Sequence, residues 1–165
     1  ELDEEGSKGD AFRSQLGIDL KEQEKLISSS GTLLGYRYEG SPIVIPDGTE
    51  EPADNPRTYT PVARPGHRAP HIWLHEGVSL LDKLGAGFTL LVFDDLQVNL
   101  ESMHVAAHTI GLPLKIIKID DADAANLYEK KFVIIRPDMM VAWRSDHLPK
   151  NPPELFDILR GETNP

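Results

Sequence analysis

The chain predicts an α/β fold, and three observations carry that prediction. Residues 88–93 form a continuous apolar run, FTLLVF, which marks a strand buried on both faces. Residues 96–110 follow with Leu96, Leu100, Met103, Ala107 and Ile110 at helical core spacing, and residues 114–119 make a second buried strand. Strand, helix and strand in that order imply a parallel pair joined by a right-handed crossover. Finally, residues 131–135 and 140–144 flank Arg136-Pro137-Asp138, a turn sequence that folds two strands into an antiparallel hairpin. A helix at 122–128 precedes the hairpin. Another at 153–160 follows it, opened by proline and closed by Gly161. The resulting order, βαβ then helix then ββα, is that of the thioredoxin fold, a mixed central sheet flanked by helices.

The preceding residues are less regular. Residues 1–10 are charged and read as a frayed lead-in. Residues 11–29 have helical content, with Phe12, Leu16, Leu20 and Ile27 as inward positions and a break or kink expected at Gly17. Short β-branched or aromatic runs at 36–38 and 43–45 suggest strands, and residues 46–56, PDGTEEPADNP, read as a mobile polar loop. A brief strand is expected at 72–74. A short helix over 79–84 would take Ser79 as N-cap and end at Gly85. The division that follows is an N-terminal helix with an extended Pro/Gly-rich arm over residues 1–58, and a thioredoxin-like domain over 59–165.

Composition excludes several functions. The chain of 165 residues has no cysteine, so disulfides, thiolate nucleophiles and sulfur metal sites are impossible. A net charge of −10 argues against nucleic acid and anionic lipid as partners. No apolar run approaches the ~18 residues of a membrane span. No signal peptide opens the chain, which begins at Glu1 and reads as a trimmed or processed piece of a cytoplasmic protein.

In a thioredoxin-like fold the reactive Cys-x-x-Cys sits where the first core strand meets the following helix, whose dipole stabilises a thiolate. Here that junction reads Asp94-Asp95-Leu96-Gln97. Carboxylates suit it as caps but cannot exchange disulfides. Residues 128–131 also lack the proline that redox-active members carry before the hairpin. Thiol–disulfide activity is excluded.

Other constellations have simpler explanations than chemistry. His67, His71 and His75 recur every four residues, but Pro65, Gly66 and Pro70 forbid the helix that would align them as ligands. A packed loop, its Arg64, Arg68 and histidines bonded to carbonyls or carboxylates, is the better reading. His104 and His108 do share a helix flank and read as a surface pair without an evident third ligand. Asp120-Asp121-x-Asp123 lacks the glycine of a calcium loop and fits a helix N-terminus. Gly85-x-Gly87 precedes a strand, so it is no dinucleotide loop and serves a tight turn. Trp73 and Trp143 read as core or interface anchors.

Five sequence pieces in order resemble the C-terminal region of flavin-dependent aromatic hydroxylases, the group that includes phenol, chlorophenol and polyketide hydroxylases. They are Gly35-Tyr36-Arg37-Tyr38; Ser41-Pro42; Pro65-Gly66-x-Arg68-Ala69-Pro70-His71; Leu81-Asp82 with Gly85-x-Gly87-Phe88-Thr89-Leu90-Leu91; and Arg136-Pro137-Asp138 with Ala142-Trp143-Arg144. One departure is Met139-Met140, where the family often has glycine beside a polar or aromatic residue. The resemblance implies attachment to a larger body that binds FAD, uses NAD(P)H and inserts one oxygen atom into a phenolic ring.

The Gly-x-Gly-x-x-Gly motif of that body is absent here. No catalytic, flavin-contacting or metal residue is therefore carried over, and no cofactor is expected in this piece. The implied role is structural: packing against the flavin body of the same polypeptide, with contact to a second copy as a further possibility. Arg64, Arg68, His71, Trp73, Trp143 and Arg144 are the expected interface residues, because Arg and Trp concentrate at interfaces and the prolines pre-order the segment. The alternative is a free-standing, redox-inactive thioredoxin-fold module that binds a protein partner.

Overall fold

The computed structural model describes residues 2, 3, 5–27, 29–74, 77–93 and 97–162, with the side chains of 24–27 excepted. The chain divides into two compact units, residues 1–35 with 53–60 and residues 36–52 with 61–165. Residues 36–52, read from the sequence as part of the arm, thus fold with the sheet.

In the first unit, α1 (Ser7–Ile27) is one helix of 21 residues that runs through Gly17 without interruption. A helical glycine costs only about 1 kcal/mol relative to alanine. Hydrogen bonds from Arg13 to Asp10 (2.5 Å) and from Gln15 to Asp19 (2.9 Å) brace the turns around it. Two of the four expected inward positions are exposed. Phe12 and Leu20 are 38% and 55% exposed, and Leu16 is half-buried. The Ile27 side chain lies outside the described set. The short α2 (Ser30–Leu34) is held by residues 53–60, which fold back on it. Thr32 N–H donates to the Pro56 carbonyl (3.1 Å), and the Ser30 hydroxyl donates to that of Arg57 (3.0 Å) while accepting from Tyr59 N–H (3.2 Å).

The second unit is built on a four-stranded sheet in the order β2-β1-β3-β4. Its strands are β1 (Phe88–Val92), β2 (Leu114–Lys118), β3 (Phe132–Ile135) and β4 (Val141–Ser145). β1 runs parallel to β2 and antiparallel to β3, and β3 is antiparallel to β4. This is the thioredoxin-type arrangement. The helices are α3 (Glu101–Thr109), α4 (Ala122–Tyr128) and α5 (Pro152–Arg160).

Why the strands read as unbroken apolar runs is now visible. Leu90, Val92, Phe132, Ile134 and Ala142 pack with Met103, Ala106 and Ala107 of α3 and Leu155, Phe156 and Leu159 of α5. The alternate residues Leu91, Val133, Ile135 and Val141 pack with Ala63, Ala69, Leu74, Leu80, Ala124 and Tyr128 in a second cluster. Successive side chains point to opposite faces, and both faces are covered.

Several boundaries differ from the sequence expectation. α3 begins at Glu101 rather than Leu96, and Asn99 Oδ1 accepts from Glu101 N–H (2.8 Å) in a local turn that sets its start. Asp94, Asp95 and Leu96 fall outside the described residues. The runs at 36–38, 43–45 and 72–74 are not strands. They supply single bridges or bonds: Arg37 to His67, Trp73 to Ser79, and Ile45 N–H to the Ala142 carbonyl (2.9 Å). Runs of three residues are too short to propagate a ladder. The expected helix at 79–84 is a 3₁₀ turn over Leu81–Lys83, with Ser79 Oγ accepting from Leu81 N–H (3.2 Å). In α4, Asp121 caps the N-terminus by accepting from Ala124 N–H (3.0 Å).

The β3–β4 hairpin forms as expected, with Arg136 N–H donating to the Met140 carbonyl (2.9 Å). The register breaks after Ile134, which pairs with Trp143 whereas Ile135 pairs with Val141. Ala142 is the extra, bulged residue. At the turn Met139 holds φ 65°, the left-handed region that favours glycine. Met139→Gly is therefore expected to raise stability by about 0.5–1 kcal/mol, the relief of that strain less the added entropy of a glycine in the unfolded chain. Thermal unfolding checks this, and an unchanged or lower midpoint would refute it.

Candidate functional site

The expected site residues cluster in the proline-rich segment and in β4, and the fold brings part of this set together. β4 is an edge strand, and residues 66–69 run along it and along the turn that leads into it. Gly66 N–H donates to the Val141 carbonyl (2.7 Å), Val141 N–H to that of His67 (2.8 Å), and Ala69 N–H to that of Met139 (2.8 Å). Tyr128 Oη then donates to the buried Pro70 carbonyl (2.8 Å). The two prolines and Gly66 suit this task. Gly66 holds φ 92°, and a Cβ there would meet the Tyr38 carbonyl at 3.0 Å. The segment thus covers an edge that would otherwise offer unpaired backbone groups.

Arg64 and Arg144 face their own unit. The Arg64 guanidinium, 12% exposed, binds the Glu51 carboxylate and the hydroxyl and carbonyl of Thr49. His67 Nε2 lies 2.6 Å from the other Glu51 oxygen, which Arg37 also approaches at 3.3 Å. Arg144 is more enclosed, its side chain only 1% exposed. It donates to Asp47 (2.5 Å), Glu129 (2.9 Å) and the Tyr128 carbonyl (3.3 Å). Burial pushes the Asp47 carboxyl up, but the hydroxyl and amide of Thr49 and the Arg144 guanidinium more than offset it, leaving it below the ordinary aspartate value. Burial likewise pushes Glu51 up. His67 and Arg64 outweigh it, and its carboxyl also sits low.

Residues 46–52, expected as a mobile loop, are thus a strap held by two arginines. Sequence reasoning missed its acidic residues as partners. Asp47-Gly48-Thr49 carries turn chemistry, and the available signal was three carboxylates, Asp47, Glu50 and Glu51, in one short loop.

The remaining expected residues differ in exposure. Arg68 is half-buried and pairs through its backbone with Met140. Trp143 is half-buried against the α3–α5 side of the core. His71 and Trp73 point outward. Trp73 is 65% exposed, and its ring meets that of His71 edge to face with centroids 5.0 Å apart. The strand-like pairing of Leu74 N–H with the Val78 carbonyl (3.0 Å) and of Leu80 N–H with that of Ile72 (3.0 Å) supports the tryptophan from behind. An exposed tryptophan is suited to filling a pocket on another surface.

Gly85-x-Gly87 does not form a dinucleotide loop. Gly85 and Gly87 open a strand, not a helix, and a Cβ at Gly87 would lie 2.5 Å from the Pro113 carbonyl oxygen. The second glycine thus admits the neighbouring strand's backbone, not a pyrophosphate. His67 binds Glu51, His71 meets Trp73 edge to face, and His75 lies outside the described residues. Among the described residues no group of three or more His, Asp or Glu side chains is placed to hold a metal, and no helix is long and apolar enough to cross a membrane.

Comparison with known proteins identifies the family of the fold. Residues 62–161 match the family model described as aromatic-ring hydroxylase, C-terminal. The chain is 32% identical over 146 residues to the FAD-dependent monooxygenase apdD of Emericella nidulans, covering 84% of this chain and 23% of that protein. It is 33% identical over 154 residues to 4-methyl-5-nitrocatechol 5-monooxygenase of a Burkholderia species, covering 82% and 28%. Among solved structures, the rebeccamycin biosynthetic enzyme RebC with reduced flavin superimposes with TM-score 0.82 at 35% identity, over 98% of this chain and 30% of that one. The chain spans between about a quarter and a third of the length of these relatives.

Proposed function

From the premise that this chain belongs to the aromatic-ring hydroxylase C-terminal family, we propose that it is the accessory region of a flavin-dependent aromatic-ring monooxygenase. In this reading it supplies no catalytic residue and no thiol redox step. It presents a surface on which the flavin-binding body of the same polypeptide packs, and the parent enzyme uses FAD and NAD(P)H on a phenolic ring.

The observation that carries the reading is the disproportion in coverage. The chain aligns over 82% or more of itself, yet over less than a third of each relative. The exposed Trp73 and the uncovered apolar stripe of α1 support it, since surfaces of this kind are usually buried in an assembled protein. His71 and Trp73 are the contact residues. Arg64 and Arg144 act one step back, by fixing the strap and the β4 edge that set the position of the segment. A cytoplasmic location belongs to the same reading, in keeping with a cysteine-free chain.

The test compares this chain alone with the same chain joined to a flavin-binding body. Alone it is expected to be colourless, to leave FAD fluorescence unchanged, and to oxidise no NAD(P)H with phenols present. In the joined protein, Trp73→Ala is expected to lower the thermal midpoint while leaving that of the isolated chain unchanged. Flavin bound by the isolated chain, or phenol hydroxylated by it, would overturn the proposal. Sedimentation of the isolated chain separates self-association from contact with the body.

A further inference from the structure

A second site lies on α3. His104 and His108 are one helical turn apart on its outer face, and both are exposed. With Glu101 they line a shallow recess of about 270 Å³. Thr109 also borders it, but its hydroxyl is tied to the Val105 carbonyl (2.8 Å). The ligating atoms on offer are therefore the two imidazoles, one turn apart on one side of a regular helix, with the Glu101 carboxylate bordering the same recess.

The helix sets this geometry. Side chains four residues apart lie one above the other, so two histidines at that spacing present ring nitrogens to a common point. The inward positions of α3 are taken by Met103, Ala106 and Ala107, which bury the opposite side against the sheet. The helix is thus held from behind, and a ligand on the outer face need not order it. The recess is open, leaving room for water to complete a coordination sphere that the protein only begins.

We propose that His104 and His108 chelate a divalent first-row transition cation. Imidazole suits copper, nickel and zinc, and carboxylate at Glu101 adds negative potential on the same side. Two rings with open positions favour copper(II) first, following the general order of stability for such ligands. The hard cations calcium and magnesium, which require oxygen ligands, are excluded. Coordination across one turn also staples the helix, so the bound ion stabilises the folded state by mass action.

The experiment is calorimetric titration of the purified chain with copper(II), nickel(II) and zinc(II) salts, each separately, at about pH 7.5 where imidazole is largely neutral. The expected result is one equivalent bound, copper most tightly, with His104→Ala and His108→Ala each lowering affinity by about tenfold or more. His147→Ala is expected to leave copper binding unchanged. Zinc should raise the thermal midpoint of the wild-type chain and not that of the double variant. Alanine at exposed helical positions preserves the fold, so a lost signal reports the ligands. Absence of stoichiometric copper binding, or binding that survives the double substitution, would overturn the assignment.

Discussion

Arg144→Ala is expected to destabilise the protein by about 3–5 kcal/mol, the usual cost of leaving a buried charge without its partner. The wild-type side chains of Arg144 and Asp47 are 1% and 5% exposed. Removing the guanidinium therefore leaves the aspartate enclosed, with Thr49 as a remaining donor, and takes one donor from the Tyr128 carbonyl. Urea unfolding should show the midpoint fall by roughly 2 M. Pairing the variant with Asp47→Ala should recover part of the loss, because the double variant buries no lone charge. If the two losses simply add, the ion pair is not what couples the strap to β4.

The same pair predicts a pH dependence. Asp47 and Glu51 have carboxyl groups held below their ordinary values in the folded state. Their contribution is fully present above the unfolded pKa of about 4 and is lost as pH falls through the depressed folded value. Stability should accordingly drop below about pH 4, and the drop should be shallower in Arg144→Ala, where one cause of the Asp47 depression is gone.

Gly87→Ala is the second large effect. The added Cβ would sit 2.5 Å from the Pro113 carbonyl oxygen and 2.7 Å from the Pro113 ring. That same carbonyl accepts the Phe88 N–H (2.9 Å), the bond that begins the parallel register of Phe88 with Leu114. Backbone on both sides leaves no flexible end to move aside, so a cost of about 2–3 kcal/mol is expected from overpacking. Thermal unfolding measures it, and faster hydrogen exchange at Phe88 locates it. Gly85→Ala is the control. Its nearest neighbour is the flexible Lys115 side chain at 3.4 Å, and it should be close to neutral.

The sheet was legible because its strands are covered on both faces, so that burial itself writes an apolar run into the sequence. α4 and α5 were legible from their ends, an Asp cap in one and proline with Gly161 in the other. The start of α3 was not, since the apolar period continues upstream of a turn fixed by one Asn99 side chain. α1 defeated both expectations placed on it. One glycine is too weak to break a helix of that length, and periodicity shows which positions align without showing what covers them. In the candidate site, sequence marked Trp73 and the arginines alike as anchors, because the same residue types serve inside a unit and between surfaces. Only coordinates separate an arginine turned toward Asp47 from a tryptophan turned toward solvent.

Asp47 and Arg144 are 97 residues apart in the chain. During synthesis at roughly 5–20 residues per second, the aspartate therefore waits roughly 5–20 s before its partner is made. The strap cannot close until Arg144 has left the ribosome, which makes its docking a long-range event in folding.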